Sequence, residues 1–212
     1  MRRLSTFRLH TAVLAGAAVC ASSAAHAQHV NPEDKRSVVT VAFADTPAGV
    51  CYDRAVATLE GIRSGYNRAA VGTCNAALEM ELFGPDRTAT HVNRAIILMA
   101  RGDVDDAIED LQTAIARAPD LQAAHLTLGG VYAGLERWAD AEATLSHGIA
   151  LEPTLASAED YFARGGAREE LGDIPGAYAD YSRAAELAPE WDLPRQELAR
   201  FQIISDSDDT GS

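Results

Sequence analysis

Residues 119–153 read PDLQAAHLTLGGVYAGLERWADAEATLSHGIALEP. Two amphipathic runs lie between Pro119 and Pro153, joined by a short break at Glu136-Arg137. Proline lacks an N–H and disfavours helical geometry in the residue before it, so each Pro closes a helix. The stretch is therefore a helical hairpin, with Leu128-Gly129 and Tyr132 on its first helix and Ala141, Leu145 and Gly148 on its second.

Working outward, the same punctuation returns. Pro119-Asp120-Leu121, Pro153-Thr154-Leu155 and Pro189-Glu190-Trp191 follow one another at spacings of 34 and 36, and Ala107, Ala141 and Ala177 stand at one fixed distance before each Pro. Breaks at Arg101-Gly102-Asp103 and Leu171-Gly172-Asp173 match the one at Glu136-Arg137. A period of this length marks stacked supersecondary units, none of which buries its apolar faces alone. Ala95, Gly129 and Gly165 fall midway along the first helices. Ala107 with Ala114, Ala141 with Gly148, and Ala177 with Ala184 fall on the second. Small side chains there let paired backbones approach, and Leu111, Leu145 and Tyr181 fill the gaps. Asp103 and Asp173 are placed to cap second helices, whose first N–H groups have no internal partner.

Leu128-Gly129, Tyr132, Ala141, Leu145, Gly148 and Pro153 resemble the tetratricopeptide repeat pattern nearly position by position. Ala95, Leu98, Ala107, Leu111, Ala114 and Pro119 form a similar block, and so do Tyr161, Gly165, Ala177, Tyr181, Ala184 and Pro189. In the third block Arg164 and Arg168 stand where Leu and Tyr are usual, so its first helix is the least regular. The resemblance covers residues 88 to about 191. It implies an all-α fold: a right-handed superhelix of antiparallel helical hairpins, with three such repeats, a degenerate N-terminal hairpin and a C-terminal capping helix. In the family the first helices line a concave groove. Carried over, the lining is Val92, Ile96 and Met99, then Leu126, Gly130 and Ala133, then Phe162, Gly166 and Glu169. Family members that hold acidic chaperone tails use Lys, Arg and Asn at such positions, which this lining lacks. A mostly apolar trough suits the nonpolar face of a helix or an extended peptide.

The flanks complete the domain. Residues 50–87 read as the degenerate hairpin, with small residues at Ala57, Ala69 and Ala76 and a loop over Phe83-Gly84-Pro85-Asp86-Arg87. The repeat domain is expected over residues 88–203. Its cap begins near Leu193, with Leu198 and Phe201 toward the last repeat and Arg195, Gln196 and Arg200 toward water. Residues 204–212 are polar, acidic and expected to be disordered. Residues 28–49 form an extended segment containing the apolar run Val38-Val39-Thr40-Val41-Ala42-Phe43.

Residues 1–27 read as a signal peptide: Arg2, Arg3 and Arg8, an apolar run from Thr11 to Ala21, then Ala25-His26-Ala27, with cleavage before Gln28. Arg2-Arg3 leaves Sec and twin-arginine export both open. The apolar run is about half of the ~20 residues a membrane span needs. The expected location is the periplasm, or outside the cell. Of 212 residues, 18 are basic and 31 acidic, a formal charge of −13; losing three Arg with the leader gives −16. Such a balance argues against a sequence-independent grip on nucleic acid, where each phosphate contact needs a free Lys or Arg. Cys51 and Cys74 remain, equidistant from the turn at residues 61–65. In an oxidising compartment they form either a disulfide across the hairpin or two separate buried thiols.

No catalytic motif stands out, and no cofactor is implied. His29, His91, His125 and His147 include no i, i+4 pair for zinc and read as surface or groove-edge residues. Asp103, Asp105 and Asp106 lack the remaining spacing of a calcium loop and suit a helix N-terminus instead. The expected function is a non-enzymatic protein-binding scaffold whose partner is another protein or peptide; a self-associating envelope protein, a homo-oligomer, is the alternative.

Overall fold

A computed structural model describes residues 46–59, 61, 68–80 and 84–208. Among them the regular elements are helices: α1 (Pro47–Leu59), α2 (Arg68–Glu79), α3 (Gly84–Arg101), α4 (Val104–Arg117), α5 (Gln122–Gly134), α6 (Trp138–Leu151), α7 (Ala158–Glu170), α8 (Ile174–Leu187) and α9 (Asp192–Asp208). Consecutive helices pair as hairpins from α1–α2 to α7–α8, and α9 packs on α8. The core runs through the array as one cluster, from Cys51 to Ala184, built largely of alanine. The all-α architecture of stacked hairpins is the one the period implies.

Close approach decides the pairing. A methyl group at Gly129 would lie 2.5 Å from Leu145 Cγ, one at Gly148 2.9 Å from Leu126 Cδ2, and one at Gly165 2.9 Å from Tyr181 Cε1. The glycines are thus the sockets, and Leu145, Leu126 and Tyr181 the knobs. The turns between paired helices share one backbone device, a left-handed residue: Gly102 (φ 87°), Glu136 (φ 58°) and Gly172 (φ 85°). Glycine adopts that conformation without a Cβ penalty; glutamate does not.

Several boundaries differ from the sequence reading. Helix α1 starts at Pro47, inside the stretch assigned as extended, because Thr46 Oγ1 accepts from Gly49 N at 3.1 Å and Pro fits a first helical position. Helix α3 starts at Gly84, inside the assigned loop, since a proline such as Pro85 is tolerated in a first turn. The cap is longer than expected: α9 continues to Asp208, into the stretch assigned to a disordered tail, as each added residue of an existing helix gains one backbone bond. The signal peptide, the apolar run 38–43 and residues 209–212 lie outside the described residues.

The two caps also diverge. Asp173 accepts from Gly176 N at 3.1 Å, as expected. Asp103 occupies the same position but turns to Arg101 at 3.0 Å and makes no cap bond. Ser157 and Asp160 form an unforeseen capping box on α7, with Ser157 N donating to Asp160 Oδ2 at 2.8 Å. Cys51 and Cys74 are disulfide-bonded, with Cα atoms 4.9 Å apart and no solvent exposure on either residue, so the bridge resolves the two alternatives. A cross-link closing a loop of this size stabilises by about 3 kcal/mol in the chain-entropy picture.

Candidate functional site

The first helices α3, α5 and α7 each present one face to their second helices and hold another face, largely buried on α3 and α5, away from them. On α3, His91 and Arg94 reach Asp110 of α4 at 2.8 and 2.7 Å. At about 100° per residue, Ala89, Asn93, Ile96 and Ala100 fall on the side away from α4. The equivalent floor on α5 is Ala123, Thr127, Gly130 and Gly134, and on α7 it is Glu159, Ala163, Gly166 and Glu170. The floor is mostly small or apolar, with both of its carboxylates on α7.

Of the nine residues assigned to the groove, Ile96, Gly130 and Gly166 lie on this floor. The others turn toward neighbouring helices. Leu126 is wedged on Gly148. Phe162 packs its ring 5.2 Å from Tyr181 and 4.8 Å from Trp191, which precedes α9. Glu169 accepts from Tyr181 Oη at 2.9 Å and from Arg200 of α9 at 2.6 Å. Val92, Met99 and Ala133 occupy the equivalent flank positions; Val92 and Ala133 are buried and Met99 partly so. For Phe162 and Glu169 the cause is the C-terminal segment: Trp191 packs on Phe162, and Arg200 of α9, which packs on α8, reaches Glu169. Arg200 faces water as expected, its side chain 57% exposed, while also bonding Glu169.

Sequence reasoning did not find the polar seams inside the hairpins. Arg94 forks onto both oxygens of Asp110, at 2.7 and 2.6 Å, and His91 donates to Oδ1. Burial alone would push the Asp110 carboxyl up, but the Arg94 and His91 hydrogen bonds outweigh it and hold the pKa below the ordinary carboxylate value. In the third repeat Arg164 forks onto Asp180 at 2.8 and 2.6 Å, and Arg168 adds a bond at 2.9 Å. Arg168 also reaches Glu142 of α6 at 3.3 Å, so this seam ties two repeats. The available signal was an Arg followed sixteen residues later by an Asp in both outer repeats, with Leu128 and Thr144 at those positions in the middle one.

The histidines are less exposed than expected. His91 belongs to the first seam. His125 is buried, its Nε2–H donating to the Pro119 carbonyl at 2.8 Å, with the His147 ring 4.4 Å away. Burial pushes the His125 pKa down; the Pro119 bond opposes this and the His147 charge adds to it. His147 is exposed, and His29 lies outside the described residues. Among the described residues no three His, Cys, Asp or Glu side chains converge as metal ligands would.

Residues 98–159 match the tetratricopeptide repeat family. Two solved structures share the fold. MamA of AMB-1 is 20% identical with a TM-score of 0.56, covering 77% of this chain and 80% of that one. A thermophilic tetratricopeptide repeat protein of Thermus thermophilus, TTC0263, is 21% identical with a TM-score of 0.53, covering 75% and 82%. No curated protein matches the chain by sequence. The fold is thus that of tetratricopeptide repeat proteins. No described helix is long and apolar enough to cross a membrane.

Proposed function

We propose that the protein is a non-enzymatic interaction scaffold of the bacterial periplasm, holding an apolar peptide or partner helix along its concave face. The observation that carries this reading is the floor itself. Ala89, Ala123, Gly130, Ala163 and Gly166 leave little side chain between the first-helix backbones and an incoming chain. Small residues permit close approach, and an apolar face in such a trough is recognised by burial. The leader-like residues 1–27 and the buried Cys51–Cys74 bridge support an oxidising compartment.

Crosslinking in the native envelope, followed by capture with the parent chain and with Gly130→Arg and Ala163→Glu variants, tests the assignment. Specific partners captured by the parent and lost from both folded variants are expected. Retention of every partner by both overturns the concave face as the binding surface. A second reading, self-association, is favoured by Ile174 and Tyr178, one turn apart on α8 and 45% and 44% exposed, with Leu171 51% exposed in the turn before it. Light scattering across dilution separates it: a mass that falls on dilution supports a self-associating array, and a constant monomer mass removes it.

A further inference from the structure

The middle hairpin brings together two imidazoles that neither helix carries at ligand spacing on its own. His125 stands on α5 and His147 on α6, and their ring centroids lie 4.4 Å apart with the planes at 62°. They gather around Gly148. A methyl group there would lie 3.1 Å from His125 Cβ, and His147 is its neighbour in the chain. Gln122, one turn before His125 on α5, reaches the same place, its Nε2 donating to Gly148 O at 3.0 Å and to Glu152 O at 2.6 Å.

The cluster holds more lone pairs than donors. The Pro119 carbonyl can only accept, so His125 Nε2 carries the proton and Nδ1 is left as the basic nitrogen. Giving the other ring N–H to a backbone carbonyl is how proteins orient an imidazole that ligates a metal. Gln122 is 8% exposed, and its Oε1 is buried without a hydrogen-bond partner among the described residues. Helix α6 ends at Leu151, so the carbonyls of its last turn add partial negative charge beside the two rings, and no basic residue stands in that turn to answer it. A cation is the guest such a place favours.

We infer that His125 and His147 form a binding site for one divalent transition-metal ion of the zinc and copper class, held between α5 and α6. Imidazole nitrogens select that class over magnesium and calcium, which take oxygen ligands. With metal–nitrogen bonds of about 2.0–2.1 Å, two rings held at a right angle on one ion have centroids about 4.5 Å apart. The observed separation is close to that, and His147 is exposed, so its ring can turn the rest of the way. Among the described residues no third His, Cys, Asp or Glu joins the pair, so water completes the coordination and the site is open, unlike a closed structural zinc site. His125 turns to α6, away from Thr127 and Gly130 on the floor, so the metal site and the binding face can fail separately.

Isothermal titration of the untagged, chelator-treated protein with zinc tests the assignment. One saturable site is expected at the pair, with magnesium giving only heat of dilution. His147→Asn removes a ligand at an exposed position. It should weaken zinc binding at this site by at least the roughly tenfold that loss of a mere orienting partner costs, with helical circular dichroism unchanged. His125→Asn should weaken it likewise, and His29→Asn should leave it intact. In NMR spectra zinc should move the ring resonances of His125 and His147 and leave those of His91. Zinc should also raise the urea midpoint of the parent and not that of His147→Asn. Absence of saturable binding, or a zinc affinity that His147→Asn leaves unchanged, overturns the inference; if His125→Asn fails to fold, His147→Asn decides alone.

Discussion

The middle hairpin and the two outer repeats close the same gap with different chemistry. In α5–α6 the seam is apolar: Leu145 seats in Gly129 and Leu126 in Gly148. In α3–α4 and α7–α8 a buried carboxylate takes the centre, Asp110 or Asp180, with an arginine forked onto it from sixteen residues upstream. The middle repeat tolerates change in volume poorly and has no ion to strand. The outer ones carry buried charges that are costly only when separated. Conformity to a repeat pattern therefore reports which chemistry fills the seam, and departure from it does not report a weak helix.

The largest expected effect is the stranding of an ion. Asp180→Ala leaves Arg164 and Arg168 without their shared carboxylate and should cost about 3–5 kcal/mol, read as a lower urea midpoint. The same substitution at Asp110 should cost less, because Arg94 also donates to Asn75 at 2.8 Å and its side chain is 24% exposed against 13% for Arg164. Next comes volume: Gly129→Ala should cost about 1–3 kcal/mol by pushing Leu145 out of its socket.

Acid should separate the two seam types. His125 has its pKa depressed in the fold, so its contribution is complete above the ordinary value of 6.5 and is lost as pH falls below it. Asp110, also depressed, keeps its contribution until pH falls below the ordinary 3.8. Urea midpoints followed from pH 7 to 3 should thus decline first through the middle repeat. His125→Asn should flatten that early decline and leave the later one. A decline untouched by His125→Asn would assign it elsewhere. The smallest effect is a gain. Glu136→Gly relieves the only left-handed non-glycine residue among those described and should stabilise by about 0.5–1 kcal/mol, whereas Gly102→Ala should destabilise its turn.

The hairpins were legible because backbone approach and chain reversal restrict residue type strongly. Pro119, Pro153 and Pro189, the glycine and alanine sockets, and Gly102 and Gly172 each admit few alternatives. The ionic seams were not, because Arg164 and Asp180 make sense only together and each alone is a departure on its own helix. Groove positions were only partly readable. Ile96, Gly130 and Gly166 stand away from the second helices by their spacing alone, but the surroundings of Phe162 and Glu169 depend on the C-terminal segment, which brings Trp191 and Arg200 against them. Asp103 and Asp173 share a sequence position, and the local competition from Arg101 decides which one caps.

If apolar and ionic seams are interchangeable ways of closing one hairpin, the middle repeat's residues should work in the third. The triple variant Arg164→Leu/Arg168→Tyr/Asp180→Thr places there the residues found at Leu128, Tyr132 and Thr144. Its unfolding free energy in urea, measured beside the single variant Asp180→Thr, is the direct test. The single variant should lose about 3–5 kcal/mol and the triple should return to within about 1 kcal/mol of the parent. A triple variant as unstable as the single one would contradict the equivalence.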